Sequence, residues 1–212
     1  MREEEDIALR GTDAGQHPIG AGTDLLDGLA LRPRPGPDRP ARVVLADLCC
    51  QAALESALFF LFTWDGIPCV YYGTEQGFHG GVDPGNREDM FLGNQEAGTP
   101  PFDTTNEMFG YVKSLIALRK EREALRRGAV SVVHSGADTG LFAFERSADG
   151  DKVLVVVNTR DSQDSAAMST SFGQGTVLRD LAPGSDGDTF TVGAGGSLEV
   201  TVRGRGGLIL AP

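Results

Sequence analysis

Cysteine is scarce in this sequence. The three present, Cys49, Cys50 and Cys69, include one adjacent pair and no Cys-x-x-Cys spacing, which argues against a disulfide framework and against a thiolate zinc site. They are expected as small buried hydrophobes. Positive charge is also short: 19 Lys and Arg stand against 30 Asp and Glu, a net charge of -11. Such a balance repels phosphate backbones and anionic lipid, and no basic, aromatic-laced segment offsets it, so nucleic acid and membrane surfaces are set aside as partners. The acidic start, Met1 to Asp6, lacks the basic and apolar regions of a secretory signal, so the chain as written carries no export address and its compartment stays open. No uninterrupted membrane-length run exists either. Val43 to Trp64 is the most apolar stretch, but Asp47, Gln51 and Glu55 interrupt it, and each charge at bilayer depth would cost about 2.5 kcal/mol or more; a buried helix is the better reading. Gly20-Ala21-Gly22 and Gly193-Ala194-Gly195-Gly196 lack the strand-to-helix context of a dinucleotide loop and read as turns.

What remains is globular material: 40% hydrophobic and 23% charged over 212 residues, enough for one large or two modest cores. Residues 1 to 41 hold Gly11, Gly15, Gly20, Gly22 and Gly28, then the run Arg32-Pro33-Arg34-Pro35-Gly36-Pro37, which reads as irregular or disordered chain. From Val43 to Leu61, apolar residues at Val43, Ala46, Cys50, Leu54, Ala57, Leu58 and Leu61 recur every three or four positions, the spacing of a helix with a wide apolar stripe. Gly66-Ile67-Pro68 breaks it. Cys69-Val70-Tyr71-Tyr72, bounded by glycines, has the look of a short strand buried on both faces. Gly73 to Phe102 follows as a long irregular stretch, and loops of that length in compact domains are usually functional.

Thr104-Thr105-Asn106-Glu107 has the form of a Thr-x-x-Glu capping box. It opens a helix whose face carries Met108, Val112, Leu115, Leu118 and Leu125 and which ends at Gly128. Beyond Gly128 the pattern becomes short strands: Val130 to His134, Leu141 to Arg146, Val153 to Asn158, Phe190 to Val192, Leu198 to Val202 and Leu208 to Leu210, separated by Gly, Asp and Ser clusters. This predicts an antiparallel β-sandwich of about 85 residues with its boundary at Gly128. The helix, buried strand, long loop and helix before it form one repeat of an α/β layout, read as the end of a larger domain.

Gly66-Ile67-Pro68-Cys69-Val70-Tyr71-Tyr72-Gly73-Thr74-Glu75-Gln76, followed by Gly80-Gly81-Val82-Asp83-Pro84-Gly85-Asn86-Arg87-Glu88, resembles the last barrel strand and following loop of the α-amylase family of glycoside hydrolases. The likeness runs from about Leu54 to Arg127, and the trailing strands are similar in kind and order to that family's C-terminal domain. The fold class it implies is α/β plus all-β: the end of a (β/α)8, or TIM, barrel over 42–127 (helix 7, strand 8, substrate loop, helix 8), then the sandwich over 128–212. Active sites of such barrels lie at the C-terminal ends of the strands, so the loop from Gly73 should face the sugar. In the family, an Asp and an Arg of this segment hydrogen-bond a glucose unit on the non-reducing side of the cleavage point, which carries over to Asp83 and Arg87. The residue types suit that work, since a carboxylate accepts from vicinal hydroxyls while a guanidinium donates from a fixed plane. The two can also pair with each other to hold the loop. Tyr71 and Tyr72 are expected in barrel packing; Glu75 is expected to be structural and His79 a loop hydrogen-bonder.

Retaining glycosidases work with two carboxylates about 5 to 5.5 Å apart. The family takes a nucleophilic Asp from strand four, an acid/base Glu from strand five and a stabilising Asp from an Asn-His-Asp motif on strand seven. None of those motifs occurs here: the histidines are His17, His79 and His134, and Asp follows none of them. No catalytic residue is therefore assigned. The family's calcium site lies in an earlier inserted domain, so no metal ligand or cofactor is carried over. The resemblance implies part of a retaining enzyme that acts on α-1,4-glucans, starch or maltooligosaccharides, with this chain alone inactive. The alternatives are a non-catalytic carbohydrate-binding fragment, one that complements a missing N-terminal barrel portion, or part of a related α-glucan transglycosylase. A barrel fragment with unpaired strand edges is expected to pack loosely over 42–127, while 128–212 is expected to fold alone.

Overall fold

Side-chain alternation sets the architecture of the C-terminal region. Along β2 (Leu141–Ala148) and β3 (Asp151–Asn158), Phe142, Phe144, Val153, Val155 and Val157 turn to one side of the sheet. Leu141, Ala143, Leu154 and Val156 turn to the other. The two sets join different apolar cores, as the period of two along a strand requires. Both sides of β3 are therefore dry, and its continuous Val-Leu-Val-Val-Val run is what a doubly covered strand needs. The computed structural model of the chain describes residues 41–78, 83–84, 87, 89–91, 102–136 and 138–212, with the backbone alone for 41–50. All of these fall in one compact unit, Leu31–Pro212; the other unit, Met1–Ala30, lies outside the described residues, as do residues 1–40 of the irregular segment expected over 1–41, whose last residue, Ala41, is helical instead.

The remaining strands are β1 (Ala129–Ser135), β4 (Asp164–Ser169), β5 (Val177–Asp180), β6 (Thr189–Thr191), β7 (Ser197–Val202) and β8 (Gly207–Ala211). They form a six-stranded sheet in the order β1-β2-β3-β8-β5-β6 and a two-stranded sheet β4-β7, antiparallel throughout. Met168, Leu198, Val200 and Val202 of the small sheet close over Leu154, Val156, Leu178 and Leu210 of the large one. That is the antiparallel sandwich the turn-punctuated strands predict.

The opposite face of the large sheet is covered by helices: α1 (Ala41–Thr63), α2 (Glu107–Glu121) and α3 (Glu123–Arg127). Leu58, Phe59 and Phe62 of α1, Met108, Val112 and Leu115 of α2, and Ala124 and Leu125 of α3 share one core with Phe144, Val153, Val155, Val157, Ile209 and Ala211. Trp64 stacks on Phe60 at 5.2 Å and meets Phe144 edge-on at 4.9 Å, the offset and T-shaped arrangements that aromatic quadrupoles favour. At Gly207 the Phe59 ring of α1 lies directly against the sheet backbone, since a Cβ there would stand 2.5 Å from it. Gly128 marks the change from helix to strand, and residues on its two sides share that core.

Several expectations are corrected. Residues 69–72 form no strand: they make no ladder and enter a turn closed by the Thr74 N–H on the Tyr71 carbonyl, Cys69 is exposed, and Ile67, Tyr71 and Tyr72 keep 95%, 60% and 41% of their surface in solvent. The barrel strands that would flank this segment are not among the described residues, so no ladder forms along it and much of its ring surface faces solvent. Packing of Tyr71 and Tyr72 in a barrel is likewise not seen; their rings meet each other at 4.7 Å. Asn106, not Thr104, caps α2, accepting from the Met108 N–H at 2.9 Å. Just ahead of that cap, Asp103 holds Thr105 in a tight side-chain turn, accepting from its N–H at 2.8 Å and its hydroxyl at 2.7 Å.

The helix also breaks once, at Arg122, whose backbone is extended. Asp151 of β3 takes the Ala124 N–H at 2.9 Å while pairing with Arg122 at 2.5 Å, so α3 starts afresh under a cap from the sheet. Gly128 does end the helical region, but for want of space and not for a left-handed turn. Its φ is -63°, and a Cβ would lie 2.3 Å from the Ala124 carbonyl oxygen.

Candidate functional site

The stretch leading to the candidate site is fixed from behind by two buried arginines. The last carbonyls of α1 have no partners within the helix and carry the negative end of its dipole. Arg119 of α2 donates to the carbonyls of Phe62 at 2.6 Å, Trp64 at 3.1 Å and Gly66 at 2.6 Å. Arg146 of β2, fully buried, donates to the Thr63 carbonyl at 2.9 Å and to the Gly128 carbonyl at 3.0 Å, and reaches Asp65 at 3.4 Å. Burial pulls both guanidiniums below their ordinary pKa, the neighbouring Arg146 charge lowers Arg119 further, and Asp65 counteracts on each. A helix, its neighbour and the sheet thus converge on the turn from which residues 67–72 depart.

A short 3-10 turn, Thr74–Gln76, comes next, set between Gly73 and Gly77, both in the left-handed region. Gly73 has no room for a side chain, since a Cβ would fall 2.1 Å from the Phe78 ring. The turn delivers Gln76 inward, where 2% of it remains exposed. Its amide nitrogen donates to the Asp103 carbonyl at 3.2 Å and its amide oxygen accepts from the Asp103 N–H at 2.8 Å. Asn106 adds a bond from its side-chain amide to the Gln76 carbonyl at 3.4 Å. Both ends of the long loop are therefore joined at its base.

Asp83 and Arg87, the two residues assigned to substrate, are brought together: Arg87 Nη2 lies 3.0 Å from Asp83 Oδ1 with the side chains 70% and 64% exposed. The Arg87 N–H donates to the Pro84 carbonyl at 3.0 Å, which holds the turn between them. Further on, Asp89 accepts from the Phe91 N–H at 2.8 Å and the Phe102 N–H donates to the Met90 carbonyl at 3.1 Å. The exposed Phe91 ring stands 6.1 Å from Phe102, which meets Phe109 edge-on at 5.8 Å. Glu75 lies in the 3-10 turn, half-buried, while His79 and His17 lie outside the described residues.

Sequence reasoning missed Gln76 and Phe91. Gln76 sits inside the Tyr-Tyr-Gly-Thr-Glu-Gln motif, but a polar residue that bonds to main chain 27 positions away leaves no periodic signal. Among the described residues, no group of three or more His, Cys, Asp or Glu could hold a metal ion, and no helix is long and apolar enough to cross a membrane.

Comparison with known proteins places this geometry in context. Residues 132–212 match the family model described as alpha amylase, C-terminal all-beta domain. A cyclomaltodextrin glucanotransferase of Bacillus sp. (strain 17-1) is 34% identical over 157 residues, 73% of this chain and 20% of its own length. A beta/alpha-amylase of Paenibacillus polymyxa is 36% identical over 105 residues, 50% of this chain and 8% of its own. The chain thus spans a fifth or less of these two relatives. Among solved structures, an Anoxybacillus alpha-amylase superposes with a TM-score of 0.62 over 86% of this chain and 36% of its own, at 24% identity, a likeness of fold.

Proposed function

We propose that the chain, whose residues 132–212 match the all-β C-terminal domain of alpha amylases and which is 34% identical over 157 residues to a cyclomaltodextrin glucanotransferase, is the C-terminal region of an α-amylase-family enzyme acting on α-1,4-glucans, to which it contributes substrate contacts. The observation that carries the reading is the exposed Asp83–Arg87 pair on a loop tied down at its base. An ion pair this exposed contributes little by itself, so sugar hydroxyls can compete for both partners. The carboxylate accepts from a hydroxyl pair, and the guanidinium donates to hydroxyl and ring oxygens. The nucleophile and acid/base carboxylates belong, in this reading, to barrel strands outside this chain. Ile67, Tyr71 and Tyr72, exposed beside an unladdered backbone, suit pairing with those strands, whether supplied by the rest of a parent enzyme or by a separately encoded portion.

A second reading, transfer of the glycosyl group to a sugar acceptor instead of water, is favoured by the similarity to a cyclomaltodextrin glucanotransferase. Product analysis of the complete enzyme on starch separates the two, cyclic or lengthened glucans marking transfer and shortened reducing chains marking hydrolysis. For this chain the test is calorimetric titration with maltoheptaose. Binding is expected, weakened about tenfold or more in Asp83→Ala and in Arg87→Ala, the loss of hydrogen bonds to a charged group. Absence of binding, or variants that bind as the wild type does, would overturn the assignment.

A further inference from the structure

We infer that Gln76 is the positioning residue of the sugar-facing loop: its side-chain amide, bonded to both polar groups of the Asp103 main chain, sets where Asp83 and Arg87 stand. The inference rests on the proposed role of those two residues as glucan contacts. A primary amide offers a donor and an acceptor in a planar fork at every pH, and here it meets the Asp103 N–H and carbonyl as a neighbouring strand would. Gln76 is 2% exposed, so losing its Asp103 partners would leave its amide buried and unsatisfied.

Everything around the pair serves the same closure. Gly73 and Gly77 allow the tight turn that aims Gln76 inward. Asn106 reaches the Gln76 carbonyl with its amide nitrogen while its oxygen caps α2, so the loop base is tied to a helix that packs in the core. Phe102, next to Asp103, bonds back to Met90 within the loop. Joining two points of a chain removes conformations that the segment between them must otherwise give up when a ligand binds. Fixing Asp83 and Arg87 beforehand removes that ordering cost from glucan binding.

Gln76→Glu tests the clasp with a built-in rescue. A protonated carboxyl has one donor and one acceptor and can replace the amide; an ionised one keeps the acceptor but turns a second oxygen on the Asp103 carbonyl. Glu75, Asp103 and Glu107 are the other carboxylates near the clasp in sequence, and the wild type at each pH is the control for them. Exchange is read by NMR at the Arg87, Phe91, Phe102 and Asp103 amides, corrected for intrinsic rates, alongside maltoheptaose affinity.

In Gln76→Glu, protection at Phe102 and Asp103 and glucan affinity are expected near the wild-type level at pH about 4, where burial against the Asp103 carbonyl favours the protonated carboxyl. Both should fall about tenfold or more near pH 8. Gln76→Met, which has neither group, should lose both at every pH while the sandwich amides keep their protection. Wild-type exchange and affinity in both variants near pH 8 would overturn the role of Gln76. A loosened loop in a protein whose wild type binds no maltoheptaose would instead overturn the glucan reading on which the role depends.

Discussion

Arg146 shows how one side chain can contradict its pattern and still be required by it. It occupies the same face of β2 as Phe142 and Phe144, so period-two reasoning assigns it to the core, and there it is, fully buried. It is tolerated because the end of α1 presents the carbonyl of Thr63 beside that of Gly128. Arg146→Met should therefore cost about 3 kcal/mol in urea unfolding, from orphaned buried acceptors and a lost charge-assisted network. Gly128→Ala is expected to cost about 1–3 kcal/mol by overpacking against Ala124 and Ser147, although Ala is otherwise the better residue beside a helix. Asp164 adds a pH dependence: the Gly140 and Ser165 N–H groups, with Arg160, hold its carboxyl below the usual carboxylate range. With the folded pKa below the unfolded one, its contribution is present above about pH 4 and is lost as pH falls through the folded value. Asp164→Asn should flatten the acid limb of stability against pH, measured by urea midpoint between pH 2 and 5.

At the scale of elements, α1 is held by packing more than by its own ends. Its described last two turns insert Leu58, Phe59 and Phe62 into the core, with Phe59 set over Gly207. Phe59→Ala should lower stability by about 3–5 kcal/mol, the cavity and transfer cost of a buried aromatic, and exchange measurements should show α1 opening before the sheet. Regular apolar spacing made α1, the α2 face, β2, β3, β7 and β8 legible. Two strands carried no such signal. In β4, Ser165, Ala167 and Ser169 alternate with Ala166 and Met168, a contrast too weak to read. In β5 the contrast is inverted: Val177 is exposed and Asp180 buried, because the Asp180 carboxylate accepts from the Ala182 and Ile209 N–H groups, each at 3.0 Å. The Cys69 to Tyr72 segment failed the other way, with a strand-like composition and no strand beside it among the described residues.

For the molecule as a whole, the large sheet lies between a helical layer and a small sheet, and it has a dry face toward each. Residues 128–212 made alone would expose Phe144, Val153, Val155, Val157 and Ile209 to water. That fragment is expected to bind a hydrophobic dye and to melt well below the full chain in calorimetry, in place of folding independently with equal stability. A melting point equal to that of the full chain would show the helical cover to be dispensable. The sequence by itself determined the elements whose side chains alternate or recur strongly, the change from helix to strand at Gly128, and the motif that places Asp83 and Arg87 on one loop, because these depend on local period and residue type. Only the tertiary structure decided that both faces of the sheet are covered, that Arg119 and Arg146 close the end of α1, and that Gln76 joins the loop at Asp103. Each of those is a polar or apolar match between residues far apart in the chain, and neither partner shows locally what the other will supply.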